Sequence, residues 1–251
     1  MSASQEDCAL FLDFDGTLVD IAPTPDAVFV SDALRETLVR LRDRLSGALA
    51  LISGRQITVL DKHFAPERFD AGGLHGLEVR LRGRMVERPH AQRERLQWVI
   101  QRLQKPLVAW PGALIEDKTD SVAVHWRLAP EAGPTIVPLL DEIAVALGSS
   151  FRLQRGKSVA EFLPADADKG SAIQLFMQEE PFRGRTPIFF GDDVTDEDGF
   201  RIVNALGGYS VNVGQPKSVA TFRLADARAV RSRLMRWAEA FPRDVIADLK
   251  T

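Results

Sequence analysis

Two hydrophobic rhythms alternate along the chain. Short, nearly unbroken apolar runs stop at acidic or small polar residues, and stretches with apolar residues three or four apart follow them. The first run is ALFLDF at 9–14, which leads into DGT; it reads as a strand buried on both faces, followed by a loop. Leu34, Leu38, Leu41 and Leu45 then repeat at helical spacing, with Ser31 placed to cap a helix over 31–44. ALALIS at 48–53 predicts a second buried strand, and 56–63 a short helix. Strand, helix, strand, helix is the order of a doubly wound α/β sheet.

The rhythm then changes. GLEVRLRGRMVERP at 76–89 alternates about Arg82 and Gly83 as a hairpin does. Residues 91–105 predict a basic amphipathic helix with a solvated face. ALIEDK and SVAVHWRL, joined near Thr119 and Asp120, predict a second hairpin. Thr135 to Leu147 predicts another helix, with Pro138 confined to its first turn, where a missing N–H costs little. FRLQRGKSVAEFLP at 151–164 predicts two strands or one broken strand. Met85, Trp98, Trp110 and Trp126 read as core residues. After Pro164 the first rhythm returns: a helix over 169–177, a buried strand in TPIFFGDD, a helix over 195–204, a strand in YSVNVG and a helical tail from Asp226. The expectation is an α/β core formed by 1–89 and 163–251, with an α+β module inserted at 90–162 through short, hinge-like joints.

Composition narrows the function classes. With 251 residues, 45% hydrophobic and 27% charged, the chain has a globular mix and too many apolar residues for disorder. Lys plus Arg total 32 and Asp plus Glu 35, a net charge of −3, so there is no basic footprint for nucleic acid or an anionic membrane. No uninterrupted apolar run approaches the ~20 residues of a membrane span. The polar start, MSASQEDC, has no signal-peptide pattern. One cysteine, Cys8, excludes an internal disulfide and a Cys-based zinc cluster. These traits fit a cytoplasmic enzyme or binding protein and do not choose between them.

The acids at the strand ends do more. Asp13 and Asp15 follow an apolar strand at its carboxyl end, the edge of an open α/β sheet where ligands bind. Gly16 permits a sharp turn and Thr17 offers a hydroxyl. Alone, D-x-D-G is equally well an Asx-type turn that ends the strand. FFGDDVTDEDGF places Asp192, Asp193 and Asp196 just after another apolar strand. Acids decorating a helix N-terminus would explain Asp196 and Glu197, but not two acids directly at the strand end. Carboxylates on two strand ends of one sheet repel unless a cation lies between them, and hard oxygen ligands of this kind suit Mg²⁺. A divalent ion beside carboxylates is half of a phosphoryl-transfer site. Ser53 and Gly54 stand between a strand and a helix, where they bind an anion or simply cap the helix. Lys169 opens a helix, against the macrodipole, which a nearby anion would explain, although a lone lysine is ordinarily a solvated surface residue.

DFDGTL, SGR, DKG and GDDVTD, in that order, resemble the four motifs of the haloacid-dehalogenase superfamily of aspartyl phosphotransferases. DFDGTLVDIAPTPDAV, HGLE at 75–78, IEDKTDSVAVHWR at 115–127 and GKSVAEFLP at 156–164 are similar to segments of the trehalose-6-phosphate phosphatase family within it. The resemblance spans ~9 to ~230, and the lack of a preceding synthase domain matches the stand-alone bacterial form. It implies a Rossmann-like, HAD-type core with an inserted cap, and Mg²⁺-dependent hydrolysis of the small molecule trehalose 6-phosphate. It also implies functional coupling to a separate trehalose-phosphate synthase.

Residue by residue, the resemblance makes Asp13 the nucleophile and Asp15 the general acid, then the base for water. Mg²⁺ would be held by Asp13, the Asp15 carbonyl and Asp192, with Asp193 and Asp196 in support. Ser53 and Lys169 would hold phosphoryl oxygens, and Lys169 would restrain Asp13. Phe14, Thr17, Gly54 and Arg55 fall on substrate-binding positions of the core, and Glu116, Lys118, Arg127, Lys157 and Glu161 on sugar-binding positions of the cap. Those cap positions read equally as outward positions on half-exposed strands. His75 either touches substrate or steadies a Gly72–Gly73 turn. Alternatives are a capped phosphatase for sucrose phosphate or mannosyl-phosphoglycerate, a phospho-acceptor signalling domain, and a non-catalytic phosphosugar-binding regulator.

Overall fold

Every residue of Cys8–Leu12 is buried, and this run forms β1 near the centre of an eight-stranded sheet. The computed structural model describes residues 7–21, 28–86, 93–118, 120–156, 158–165 and 167–250. Two compact units emerge, one made of Met1–Glu87 with Asp168–Thr251, the other of Arg88–Ala167.

In the first unit β1 leads to α1 (Asp32–Arg44), β2 (Leu49–Ile52), α2 (Ile57–Phe64), β3 (Asp70–Gly73), β4 (Glu78–Leu81) and β5 (Arg84–Met85). The second unit supplies α3 (Arg93–Leu107), β6 (Leu114–Asp117), β7 (Val122–His125), α4 (Gly133–Leu147), β8 (Phe151–Gly156) and β9 (Val159–Pro164). The first then resumes with α5 (Lys169–Gln178), β10 (Thr186–Gly191), α6 (Glu197–Ala205), β11 (Tyr209–Val213), β12 (Phe222–Leu224), α7 (Ala227–Glu239) and α8 (Val245–Leu249).

The large sheet has the order β12-β11-β10-β1-β2-β3-β4-β5. The six strands from β12 to β3 are mutually parallel, and β4 and β5 extend the edge antiparallel. Neighbouring residues of a strand face opposite sides of its sheet. Phe189 meets Phe200 of α6, whereas Phe190 meets Trp237 of α7. Helices therefore cover both faces, and that is why β1, β2 and β10 are apolar without alternation. α1 begins at its Ser31 cap, whose hydroxyl accepts the Leu34 N–H at 3.2 Å. Leu34, Leu38 and Leu41 of this helix are buried.

Several elements differ from the sequence reading. β3 is a strand although it contains Gly72 and Gly73, so these glycines do not form a turn. A Cβ on Gly73 would stand 2.9 Å from the Arg55 carbonyl oxygen, so close packing requires glycine there. The turn lies one step later, where Leu74, His75 and Gly76 all have positive φ. The tail is two helices, since α8 starts afresh from an Asp244 cap beyond Pro242. β12 was not evident from the apolar pattern, being three residues with Arg223 exposed. Met85 and Trp98 are exposed rather than core.

In the second unit, α3 and α4 pack on one face of a four-stranded antiparallel sheet ordered β6-β7-β9-β8. α4 starts at Gly133, so Pro138 sits inside the helix and not in its first turn; Pro134 takes the N-terminal place. The stretch Pro130–Ser150 has a mean hydropathy of 1.2 over its best window. Its Ile136, Leu140, Ile143 and Leu147 form a buried stripe against this unit's core, and Asp141 and Glu142 break the apolar run. β9 continues to Pro164, opposite Phe151, which places the end of this unit beyond residue 162.

Candidate active site

Strand pairing brings the two acidic motifs together. The Asp13 N–H donates to the Phe190 carbonyl at 2.9 Å, one step beyond the end of β1, which sets Asp13 beside Gly191 and Asp192. Gly16, at φ +82°, then turns the chain under Asp192; a Cβ there would lie 2.1 Å from Asp192 Oδ2. The buried Thr17 hydroxyl donates to Asp192 Oδ1 at 3.4 Å. Asp13, Asp192 and Asp196 each offer one carboxylate oxygen, and these oxygens lie within 4.8 Å of one another.

Lys169 enters this cluster from the first turn of α5. It is 3% exposed, and its Nζ donates to Asp13 Oδ1 at 2.7 Å and to Asp196 Oδ1 at 2.6 Å. Burial opposes its charge, but Asp13 and Asp196 outweigh that and raise its pKa. The nearby anion expected from a lysine at a helix start is thus the pair Asp13 and Asp196. Asp196 Oδ2 also accepts the backbone N–H groups of Asp192 and Asp193 at 3.0 and 2.9 Å. Both of its oxygens accept hydrogen bonds, and through them Asp196 orders the loop and Lys169. It stands at a helix end, as the sequence suggested, in a capping box with Asp193 and at the N-cap of α6, but it is fully buried and also holds Lys169. Asp193 contributes its N–H, while its carboxylate is exposed, accepts the Val194 N–H and stands outside the acidic trio.

Packing three acids around one lysine leaves excess negative charge. Burial, chiefly, then Asp196, pushes the Asp192 carboxyl up to about 6. Burial also raises Asp13, with Lys169 opposing and Asp196 and Asp192 reinforcing. The donor set fits a hard divalent cation, because only oxygen ligands converge and their mutual repulsion is what such an ion relieves.

The second strand end supplies the remaining groups. Ser53 is 1% exposed and its Oγ accepts the Arg55 N–H at 3.1 Å, which leaves the hydroxyl proton to donate elsewhere. Ser53 does not cap α2. Gln56 occupies that position, and the first helical N–H, from Ile57, goes to Glu78 Oε2 at 2.7 Å. Glu78 stands in the HGLE segment, but nothing in its spacing announces this role. Arg55 grips both oxygens of Asp15 at 2.6 and 2.7 Å and lies over the Phe14 ring at 5.3 Å. Asp15 therefore points its carboxylate to Arg55 and not into the acidic trio. The His75 ring lies against Gly54, where a Cβ would come within 2.7 Å of it.

In the second unit, Glu116, Ala123, Glu161 and Gln154 pair in one row across β6, β7, β9 and β8, on the sheet face opposite Val122, Val124 and Phe162. Lys118 Nζ lies 3.3 Å from Glu161 and 4.0 Å from Glu116. Ser121 donates to Glu161 Oε1 at 2.5 Å, and His125 Nε2 meets Glu116 Oε2 at 2.9 Å. Arg127 is exposed in the turn after β7, and Lys157 lies outside the described residues. Ser121 and His125 were not singled out from the sequence, although strand alternation from Ala123 places His125 on the Glu116 face.

A family model described as trehalose-phosphatase matches residues 11–228. A probable trehalose-phosphate phosphatase of Sinorhizobium fredii (strain NBRC 101917 / NGR234) is 43% identical over 237 residues, covering 92% of this chain and 88% of that one. The trehalose-6-phosphate phosphatase of Escherichia coli (strain K12) is 42% identical over 226 residues, covering 90% and 85%. The crystal structure of a trehalose-6-phosphate phosphatase related protein aligns with a TM-score of 0.71 at 26% identity, over 92% of this chain and 97% of that one.

Proposed function

The chain belongs to the trehalose-phosphatase family, and from that premise we propose that it releases trehalose and inorganic phosphate from trehalose 6-phosphate, with Mg²⁺ as its cofactor. The observation that carries the reading is the buried group of Asp13, Asp192, Asp196 and Lys169 at adjoining strand ends. A carboxylate fixed there by a buried lysine is held ready to attack phosphorus, because Lys169 removes most of its rotational freedom.

The chemistry runs in two displacements. An Asp13 carboxylate oxygen forms a bond to phosphorus as the bond from phosphorus to the sugar oxygen breaks. Asp15, once protonated and released from its ion pair with Arg55, gives its proton to that departing oxygen. A water then loses a proton to Asp15 and attacks phosphorus, and the Asp13–phosphorus bond breaks, freeing phosphate and restoring both carboxyl groups. One group serves as acid and then base because each step leaves it in the state the next requires. Ser53 and Lys169 donate to phosphoryl oxygens. Asp13 and Asp192, with the Asp15 carbonyl, would hold Mg²⁺, which supplies positive charge for the phosphoryl oxygens.

Glu116, Lys118, Arg127, Lys157 and Glu161 of the second unit would read the disaccharide. Fixed charged acceptors and donors reject a wrong sugar because it leaves them without partners. We infer a core of 1–87 and 168–251 for the chemistry and 88–167 for the sugar. Phosphate release from a panel of sugar phosphates tests the reading. Trehalose 6-phosphate should be turned over fastest, EDTA should stop the reaction, and added Mg²⁺ should restore it. Preference for sucrose phosphate or mannosyl-phosphoglycerate would replace the substrate while retaining the chemistry.

A further inference from the structure

We propose that His125 is a positioning residue for sugar selection: it fixes the rotamer of Glu116 so that one carboxylate oxygen, Oε1, is presented to a sugar hydroxyl. The inference rests on the reading of Glu116 as a sugar-binding residue. Glu116 and Glu161 stand on either side of Ala123 in one cross-strand row, so their strands are about 10 Å apart by ordinary sheet spacing. The two acids are not held alike. Glu161 has two close partners, Ser121 at 2.5 Å and Lys118 at 3.3 Å, and its side chain is 18% exposed. Glu116 is 45% exposed, and its lysine contact among the described residues, Lys118, is at 4.0 Å, the outer limit of an ion pair.

His125 makes up that difference. It lies diagonally across the β6–β7 pair on the Glu116 face, since Leu114 opposes His125 and Glu116 opposes Ala123. Its Nε2 is 2.9 Å from Glu116 Oε2. In the Nε2–H tautomer the ring donates to that oxygen, which leaves Oε1 as the acceptor. A glutamate without this contact explores several rotamers, and ligand binding must then order it. Lys118 Nζ faces the same oxygen, Oε2, but at 4.0 Å it is beyond hydrogen-bond reach, so among the described residues His125 is the partner within hydrogen-bond distance of Glu116, and Oε1 is left to the sugar.

The test is a double-mutant cycle in the full chain with Mg²⁺, comparing kcat/KM for trehalose 6-phosphate with that for p-nitrophenyl phosphate. His125→Ala should lower this ratio on the order of tenfold, within the range that loss of an orienting partner costs at other sites. His125→Gln, which retains an N–H donor near the same place, should recover most of it. The double variant Glu116→Ala/His125→Ala should be no worse than Glu116→Ala alone, because the two residues act as one unit. Multiplying losses in the double variant, failure of His125→Gln to rescue, or equal losses on both substrates would overturn the proposal. An unmoved ratio in His125→Ala beside a fallen one in Glu116→Ala overturns this proposal alone. An unmoved ratio in Glu116→Ala overturns the sugar-binding role of Glu116 and this proposal with it.

Discussion

Arg55 holds Asp15 by a two-pronged ion pair, Nε to Oδ2 at 2.6 Å and Nη2 to Oδ1 at 2.7 Å. The guanidinium is itself fixed against the Phe14 ring. The family resemblance places Arg55 against the substrate; the ion pair supports the proposal that it acts on the reaction through Asp15 instead. Lysine cannot reproduce the planar fork. Arg55→Lys should therefore lower kcat by about tenfold or more, the order expected for one charged hydrogen bond. Steady-state kinetics decide the matter: a raised KM with unchanged kcat would return Arg55 to a substrate contact.

Asp13→Asn should keep the fold and lose turnover, because the amide preserves shape but cannot attack phosphorus. Retention of more than about a tenth of wild-type activity would remove Asp13 as the nucleophile.

Lys169→Met should destabilise the metal-free protein by about 3–5 kcal/mol, since it leaves the buried Asp13 and Asp196 carboxylates without their shared cation. Denaturant unfolding with and without Mg²⁺ measures this. A midpoint equal to that of the wild type would mean that the two acids protonate at no cost.

The raised Asp192 carboxyl sets a pH dependence for the metal-free protein. Between 3.8, its unperturbed value, and about 6, the folded state holds a proton that the unfolded chain has released. The contribution of this group to stability is therefore complete at low pH and is lost as pH rises through that window. The wild type should lose stability relative to Asp192→Asn across it. Metal binding must expel the same proton, so Mg²⁺ should bind more weakly below pH 6 and release protons there. Calorimetry in two buffers of different ionisation enthalpy reads this directly. Proton release that is no larger below pH 6 than well above it would contradict the assignment.

Glu161→Ala should lower the ratio of kcat/KM for trehalose 6-phosphate over p-nitrophenyl phosphate by about 10–150-fold, the equivalent of one lost hydrogen bond to a charged group. Remote sugar contacts contribute to alignment of the ester, so the loss should extend to kcat. Equal losses on both substrates would assign Glu161 to support of the sheet through Ser121 and Lys118.

The apolar runs at Cys8–Leu12, Leu49–Ile52 and Thr186–Gly191 were legible because strands covered on both faces cannot alternate. Asp13, Asp15, Asp192 and Lys169 stood out for a local reason, since acids at a strand end and a lysine at a helix start are costly without a partner; Ser53 was singled out by the resemblance of the ordered motifs DFDGTL, SGR, DKG and GDDVTD to a known family. Tertiary structure alone decided the partners. That Lys169 divides itself between Asp13 and Asp196, and that Asp196 is spent on backbone N–H groups, depends on β1 and β10 being neighbours and on α5 opening beside them. The same holds for Arg55 on Asp15, Glu78 at the start of α2 and His125 on Glu116, contacts between residues 40, 21 and 9 positions apart. Local pattern records which groups must be satisfied; which group satisfies them is fixed only when strand order and register bring distant positions within hydrogen-bond reach.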